Sequence, residues 1–376
     1  MVIAVNTRFL VKDQWEANGN FTYETFSRIT RLHPEHTFIF IFDRPWEDAF
    51  IFSPNVIPVA TGPKAVNPAQ WFIWYNIKIP GVLKRYEADV FVSPDGLGSL
   101  TTKIPQCLLV NDIAFSQSAF MNKSHLLFYR KFTPRFIKRS KVIVTLSEFV
   151  KAGIIKQYKT EPDKIKLVYS GVNKDFMPFA AEDRETVKAK YADDNEYFIY
   201  TGEIGSNKNL GNLLKAFSAF KKRQKSNMQL LIAGKRGWKY EEFKKSLGLF
   251  RFKDEVKLLE SLPLPELVKV TAAAYAMIYT SPADAFGTQT LQAMKSGVPV
   301  ITSAASAMSE ICGDAALYAD PQNFKDIAVK MMRLFKDENL RQALIEKAKV
   351  QADKYNWDLT ANLLWDAIAK TMAPNF

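Results

Sequence analysis

Residues 281–301 read SPADAFGTQTLQAMKSGVPVI. The stretch leaves the apolar run YAMIYTS (275–281), crosses a Pro-Ala-Asp-Ala loop, and turns at Phe286-Gly287 into a segment suited to a helix from Thr288. A strand, a glycine turn and a helix in that order form the repeating unit of parallel α/β sheets. Gly287 permits backbone angles closed to other residues. At the helix start, the N–H groups of Thr288, Gln289 and Thr290 lack intrahelical acceptors, and the helix dipole puts its positive end there. Such a mouth receives phosphate. Asp284 beside it can accept hydrogen bonds from hydroxyls, and Gln292, one turn in on the side of Thr288, can bond a diol. Taken alone, the same residues also describe a capped helix after an Asp loop.

Working outward, short apolar runs alternate with longer amphipathic ones. The first half offers strands at 2–6, 37–42, 89–93, 106–111, 141–146 and 164–169; the second offers 196–202, 228–234, 256–260, 275–281 and 298–303. Most are almost continuously apolar, as strands covered by helices on both faces should be. Between them lie helical stretches such as FTYETFSRITRL from Phe21, EFVKAGIIKQY capped by Ser147, LGNLLKAFSAFKKRQ, PELVKVTAAA and FKDIAVKMMRLFKD. SGVNKDFMPF (170–179) holds Gly171 and Pro178 without periodicity and reads as a connector between two α/β halves. The closing NWDLTANLLWDAIAKT places Trp357, Ala361, Leu364, Trp365 and Ile368 on one face, which predicts a docked amphipathic helix.

Polar residues collect where the strands end. In open α/β sheets ligands bind outside the carboxyl ends of strands. FIYTGEIGSNKNLGNLLKAF (198–217) runs from strand to helix with Gly202 and Gly205 clearing the approach and Lys208 able to set a point charge on phosphate. In VNTRFLVKDQWEANGNFTYETF (5–26), Gly19 between Asn18 and Asn20 precedes the predicted helix; it marks either close backbone approach to a ligand or a turn. VNDIAF (110–115) closes a strand on Asn111 and Asp112.

Composition narrows the class. A chain of 376 residues exceeds one compact core and suits two domains. Hydrophobic residues at 47% and charged residues at 24% indicate a globular chain rather than a disordered one. Cys107 and Cys312 follow apolar runs far apart in sequence and read as buried free thiols; with the three histidines they make no metal-ligand spacing. No run reaches the roughly 18 apolar residues of a membrane span, and the short apolar start reads as a strand, so a cytoplasmic location is expected. The formal charge is +12, and residues 123–166 hold 12 Lys or Arg against 3 Asp or Glu, a net +9. That concentration is either a solvated helix face or an attraction to anions, such as an anionic membrane at the inner face or a phosphorylated acceptor. Nucleic acid is not expected, because no recognition motif accompanies the charge. Walker, Gly-x-Ser-x-Gly, His-Glu-x-x-His and Asp-x-Asp patterns are missing, so no metal and no cofactor are expected.

In order, these elements resemble glycosyltransferase family 4 (glycosyl transferases group 1), the retaining, sugar-nucleotide-dependent group with the GT-B fold. VNDIAF is similar to the family's His-Asp-hydrophobic strand end, TGEIGSNKNLGNLLKAF to its Arg-Lys-Asn-Leu segment, and SPADAFGTQTLQAMKSGVPVITS to its Glu-Gly-Phe-Gly-x-Pro-x-x-Glu-Ala-Met signature. GDAALYADP and the NWD helix match as well. The resemblance implies an α/β, GT-B architecture: two Rossmann-like domains facing across a cleft, with the last helix crossing back to the first. It implies an acceptor domain over 1–172 with 357–376, and a nucleotide-sugar donor domain over 173–356. Carried over by position, Lys208 and the backbone after Gly287 hold the donor diphosphate, Asp284 meets the donor sugar, Gln292 bonds the ribose, and Asn111 takes the place of the active-site His. Gly19, Asn20, Gly202, Asn207, Gly234, Phe286, Thr288 and Gln289 complete the donor-binding set, with Asn111, Asp284 and Lys208 as the catalytic one. The implied activity is hexose transfer from a nucleoside-diphosphate sugar to a saccharide or lipid-linked saccharide acceptor, in cell-surface polysaccharide or glycolipid synthesis. The chain departs from the family at Asn111, Asn207, Asp284, Ala285, Gln289 and Gln292. Those departures leave open a transferase-like scaffold serving as a partner or regulatory subunit.

Overall fold

The structure, a computed structural model, describes residues 1–12, 17–112, 122–205 and 208–373. The chain divides into two compact units, Met1–Gly171 with Trp357–Phe376, and Val172–Asn356.

Among the described residues the first unit carries seven parallel strands: β1 (Val2–Asn6), β2 (Thr37–Phe42), β3 (Val56–Ala60), β4 (Val90–Ser93), β5 (Gln106–Leu109), β6 (Val142–Thr145) and β7 (Ile165–Leu167). Their order is β3-β2-β1-β4-β5-β6-β7. The second unit carries six: β8 (Tyr197–Thr201), β9 (Gln229–Gly234), β10 (Val256–Glu260), β11 (Ala276–Tyr279), β12 (Val300–Ser303) and β13 (Ala316–Ala319), in the order β10-β9-β8-β11-β12-β13. Both sheets grow outward in two directions from a middle pair, β1 with β4 and β8 with β11. Connections leave these pairs toward opposite faces, which opens a crevice beyond their carboxyl ends.

The central strands follow from their composition. Ile3, Ala4 and Val5 of β1 and all five residues of β8 are buried, because helices cover both faces and leave no room for polar alternation. The edges behave differently. β3 and β13 fall outside the runs read from sequence as strands, and each lies at a sheet edge. β3 carries Pro58 and is only partly buried, a pattern tolerated where a backbone N–H needs no partner. β13 is four residues long.

The first helix is also longer than its sequence suggests. It spans Ala17–Leu32, so Gly19 and Asn20 lie in its first turn rather than in the loop before it. Local turn propensity at Asn18-Gly19-Asn20 is overridden by burial: Gly19, Phe21 and Thr22 all face the interior. Ser147 caps the helix Glu148–Tyr158 as expected, accepting from the Val150 N–H at 3.2 Å.

The last helix, Trp357–Met372, packs within the first unit against Ala17–Leu32 and across β4, β5 and β6. Trp357 meets Phe21 edge-on at 6.1 Å, Trp365 stacks on His33 at 3.7 Å, and the Thr360 hydroxyl donates to the Tyr169 carbonyl at 2.8 Å. Gly171 is required here, since a Cβ on it would lie 2.5 Å from the Trp357 nitrogen. Both cysteines are free and buried; burial pushes the Cys107 thiol up to about 12 and Cys312 to about 11, which leaves both inert. Among the described residues no helix is long and apolar enough to cross a membrane.

Candidate functional site

The second unit builds its site at the β8/β11 divergence. β8 ends at Thr201 and its loop returns through Lys208 to the helix Leu210–Gln224; β11 ends at Tyr279 and its loop returns through Asp284 to the helix Thr288–Lys295. The two loops meet. Lys208 Nζ lies 3.7 Å from Asp284 Oδ2, so the ammonium points inward to the second helix start.

Asp284 organises that start. Its Oδ1 accepts from the Phe286 and Gly287 N–H groups at 3.1 and 2.8 Å, a turn written in the spacing Asp-Ala-Phe-Gly. Its Oδ2 accepts from the Tyr279 hydroxyl at 2.5 Å and faces Lys208. Both oxygens are therefore engaged within the protein. Tyr279 is fully buried, and burial with the nearby Asp284 charge pushes its hydroxyl well above the usual range, so it stays a donor. Its ring stacks on Tyr200 at 5.7 Å.

Beyond Asp284 the helix start keeps backbone donors without partners among the described residues. Gly287 takes φ +88° and Leu291 N–H is the first in the helix to find a backbone acceptor, the Gly287 carbonyl at 3.2 Å. The N–H groups of Thr288, Gln289 and Thr290 have no acceptor among the described residues. The half-buried side chains of Thr288, Gln289 and Gln292 likewise make no hydrogen bond among them. Phe286 is buried against Tyr355, at 6.1 Å between rings. Half-buried polar groups without internal partners are available to a ligand.

The glycines have different tasks. A Cβ on Gly287 would sit 2.6 Å from Met308 Sδ, and one on Gly234 would sit 1.6 Å from the Gly202 carbonyl oxygen. Gly234 thus lets β9 pass directly under the loop that carries Lys208. A Cβ on Gly202 would lie 3.7 Å from Gln289 Nε2, which places that glycine beside the helix mouth. Asn207 lies outside the described residues. Asn209, two positions on, ties the two loops down: its Nδ2 donates to the Thr280 and Pro321 carbonyls at 2.9 and 2.8 Å. Tyr279 was hidden, because an apolar strand reads alike whether or not its last residue carries a useful hydroxyl.

The first unit gathers the remaining predicted residues. Asn111 Nδ2 donates to Asn18 Oδ1 at 2.6 Å, next to Gly19 in the first helical turn. Asn111 Oδ1 is buried without a donor among the described residues. At the β1/β4 divergence lies a network not read from sequence. Asn6 Nδ2 donates to Tyr75, Ser93 and Asp95, and Arg8 pairs with Asp95 at 2.8 Å with both side chains buried.

Two parallel α/β sheets, each growing outward from a central strand pair, and a last helix returned to the first unit define the GT-B class of folds. The profile of the glycosyl transferases group 1 matches residues 182–351, nearly all of the second unit. The chain is 25% identical over 245 residues to the O-antigen chain mannosyltransferase B of Escherichia coli, covering 65% of this chain and 64% of that protein, so just under two thirds of that relative is spanned. It is 25% identical over 281 residues to the O-antigen chain mannosyltransferase RfbU of Salmonella typhimurium, covering 74% of each. The crystal structure of Anabaena Alr3699/HepE in complex with UDP-glucose superposes with a TM-score of 0.76 at 13% identity, over 98% of this chain and 99% of that one. That last likeness is one of fold.

Proposed function

We propose that this chain is a retaining hexosyltransferase that moves a sugar from a nucleoside-diphosphate donor to a saccharide or lipid-linked saccharide hydroxyl, in synthesis of a cell-surface polysaccharide or glycolipid. The observation that carries it is the mouth at Thr288–Thr290: three N–H groups without acceptors among the described residues, faced by the Lys208 ammonium. A diphosphate seated there gains charge as the glycosidic bond breaks, and preorganised donors act most on charge that develops in the transition state. Lys208 and the three N–H groups hold that leaving group. Gln292 bonds the ribose. Asp284 acts as a positioning residue, keeping Lys208 and the Gly287 turn in place through contacts already made.

No protein nucleophile takes part in this reading. The acceptor hydroxyl attacks from the face the diphosphate leaves, and a phosphate oxygen receives its proton. Asn111, whose buried carbonyl oxygen has no donor among the described residues, orients a hydroxyl in the first unit. The names of the two mannosyltransferases support a hexose donor and a polysaccharide product, and the complex of Alr3699/HepE with UDP-glucose supports a nucleotide-linked one. The Lys208 ammonium held beside unpaired N–H groups favours turnover over the scaffold reading.

Calorimetric titration against UDP and GDP tests the proposal. Micromolar binding of one of them is expected, and binding of neither rules the transferase out. A cytoplasmic protein in peripheral contact with anionic membrane is part of the same proposal, supported by the net +9 of residues 123–166. Co-sedimentation with anionic vesicles at low salt, lost at high salt, is the expected result; a protein left in the supernatant at low salt removes that part.

A further inference from the structure

A cavity opens beyond β1, β2 and β3. It measures about 340 Å³ and lies wholly within the first unit. That volume falls at the lower end of small-molecule sites and suits one sugar-sized ligand. Three cations line it: Arg8 after β1, Arg44 after β2 and Lys64 after β3.

The cations are held in graded ways. Arg8 has 7% of its side chain exposed, yet lines the cavity. Its Nε is bonded to Asp95 and its Nη1 to the Ala65 carbonyl at 2.9 Å; Nη2 has no acceptor among the described residues. Burial opposes its charge, but Tyr75 and Asp95 outweigh that and keep it protonated. Arg44 pairs with Asp43 at 2.6 Å, and Asp43 is also committed to the Ala65 N–H at 2.9 Å. Lys64 is exposed at the rim and has no acidic partner among the described residues. Among the described residues each carboxylate near the cavity is thus matched to one arginine, and none is left to pair with Lys64. Phe9 and Tyr129 are half-buried in the wall, with Phe9 4.5 Å from the Arg8 guanidinium.

We propose that this cavity binds a phosphomonoester on a sugar ring, with the phosphate taken by Lys64 and the free Nη2 of Arg8 and the ring laid against Phe9 and Tyr129. A buried guanidinium with one open donor at the bottom and a free ammonium at the rim fits an anion between them. Aromatic faces beside it fit a pyranose. The inference rests on the transferase reading only for the ligand's role, which is that of a phosphorylated acceptor; the binding stands or falls independently.

The test is calorimetric titration of the whole protein with mannose 6-phosphate, mannose and inorganic phosphate, each with UDP or GDP titrated into the same preparation. Mannose 6-phosphate is expected to bind at least ten times tighter than mannose, and Lys64→Ala to remove most of that difference. Lys64 is exposed, so its variant folds; Arg8→Lys, which keeps the buried charge, should weaken binding several-fold. Vesicles of phosphatidylcholine with phosphatidic acid tell a soluble phosphosugar from a lipid headgroup: displacement of mannose 6-phosphate by them assigns the same site to a lipid phosphomonoester. Equal affinity for mannose and its phosphate, or a preference untouched by Lys64→Ala, overturns the inference. If that happens while nucleotide binding persists, only this site is lost. If the phosphosugar binds and no nucleotide does, the site stands and the transferase is lost.

Discussion

Lys208→Ala should weaken binding of the nucleoside diphosphate by about 10- to 100-fold, the equivalent of one charge-assisted hydrogen bond of about 1.5–3 kcal/mol. Two effects add. The diphosphate loses a cation, and Asp284, 3.7 Å away, is left as an unopposed negative charge beside it. The fold should hardly notice, because partly exposed ion pairs contribute about 0–1 kcal/mol. Asp284 keeps its bonds to Tyr279 and to the Phe286 and Gly287 N–H groups in the variant, so the mouth keeps its shape. Turnover should fall more than affinity, since the charge being stabilised is largest as the sugar departs. Lys208→Arg retains the charge and should recover part of both. Unchanged nucleotide affinity in Lys208→Ala would remove the lysine from the site.

Gly234→Ala should destabilise the second unit by about 3 kcal/mol or more, at the upper end of overpacking substitutions. The Cβ would overlap the Gly202 carbonyl oxygen, and that oxygen belongs to backbone. Gly202 cannot give way cheaply, because its N–H is bonded to the Ala233 carbonyl at 2.9 Å, and Gly234 itself accepts from Ser261 at 3.0 Å. The φ of +156° adds to the cost. Gly211→Ala is the contrast. Gly211 sits in the first turn of the helix Leu210–Gln224 with open space where its Cβ would go, so that change should be neutral or stabilising by up to about 1 kcal/mol. Urea unfolding of the two variants measures the difference. A Gly234→Ala protein as stable as the parent would mean the loop bearing Lys208 is not packed on β9 as described.

Much of this architecture is written in the sequence because burial on both faces leaves one reading. VIAVN, TFIFIF and YFIYT have few polar residues to place, and each is a central or near-central strand. The edges were harder for the reason that makes them edges. Pro58 and partial exposure disguise β3, and β13 is only four residues long. The placements of Lys208 and Gly287 just before helix starts were legible because a glycine-bearing turn after an apolar run marks the passage from strand to helix. The work of Asp284 was half legible. Its bonds to residues two and three ahead are local and follow from spacing; its bond to Tyr279 depends on how the loop folds back, which no periodicity encodes. The cavity of Arg8, Arg44 and Lys64 was out of reach altogether. Those residues are spread over 57 positions of chain and meet only because three parallel strands end side by side.

In the proposed reaction a diphosphate rests against the start of the helix Thr288–Lys295. The direct measurement is an amide NMR spectrum of protein labelled at Thr and Gln, recorded with and without the nucleoside diphosphate that binds. The N–H resonances of Thr288, Gln289 and Thr290 should move strongly on addition, as acceptors reach donors that had none, and should move much less in Lys208→Ala. A nucleotide that binds while those three resonances stay in place would contradict the account.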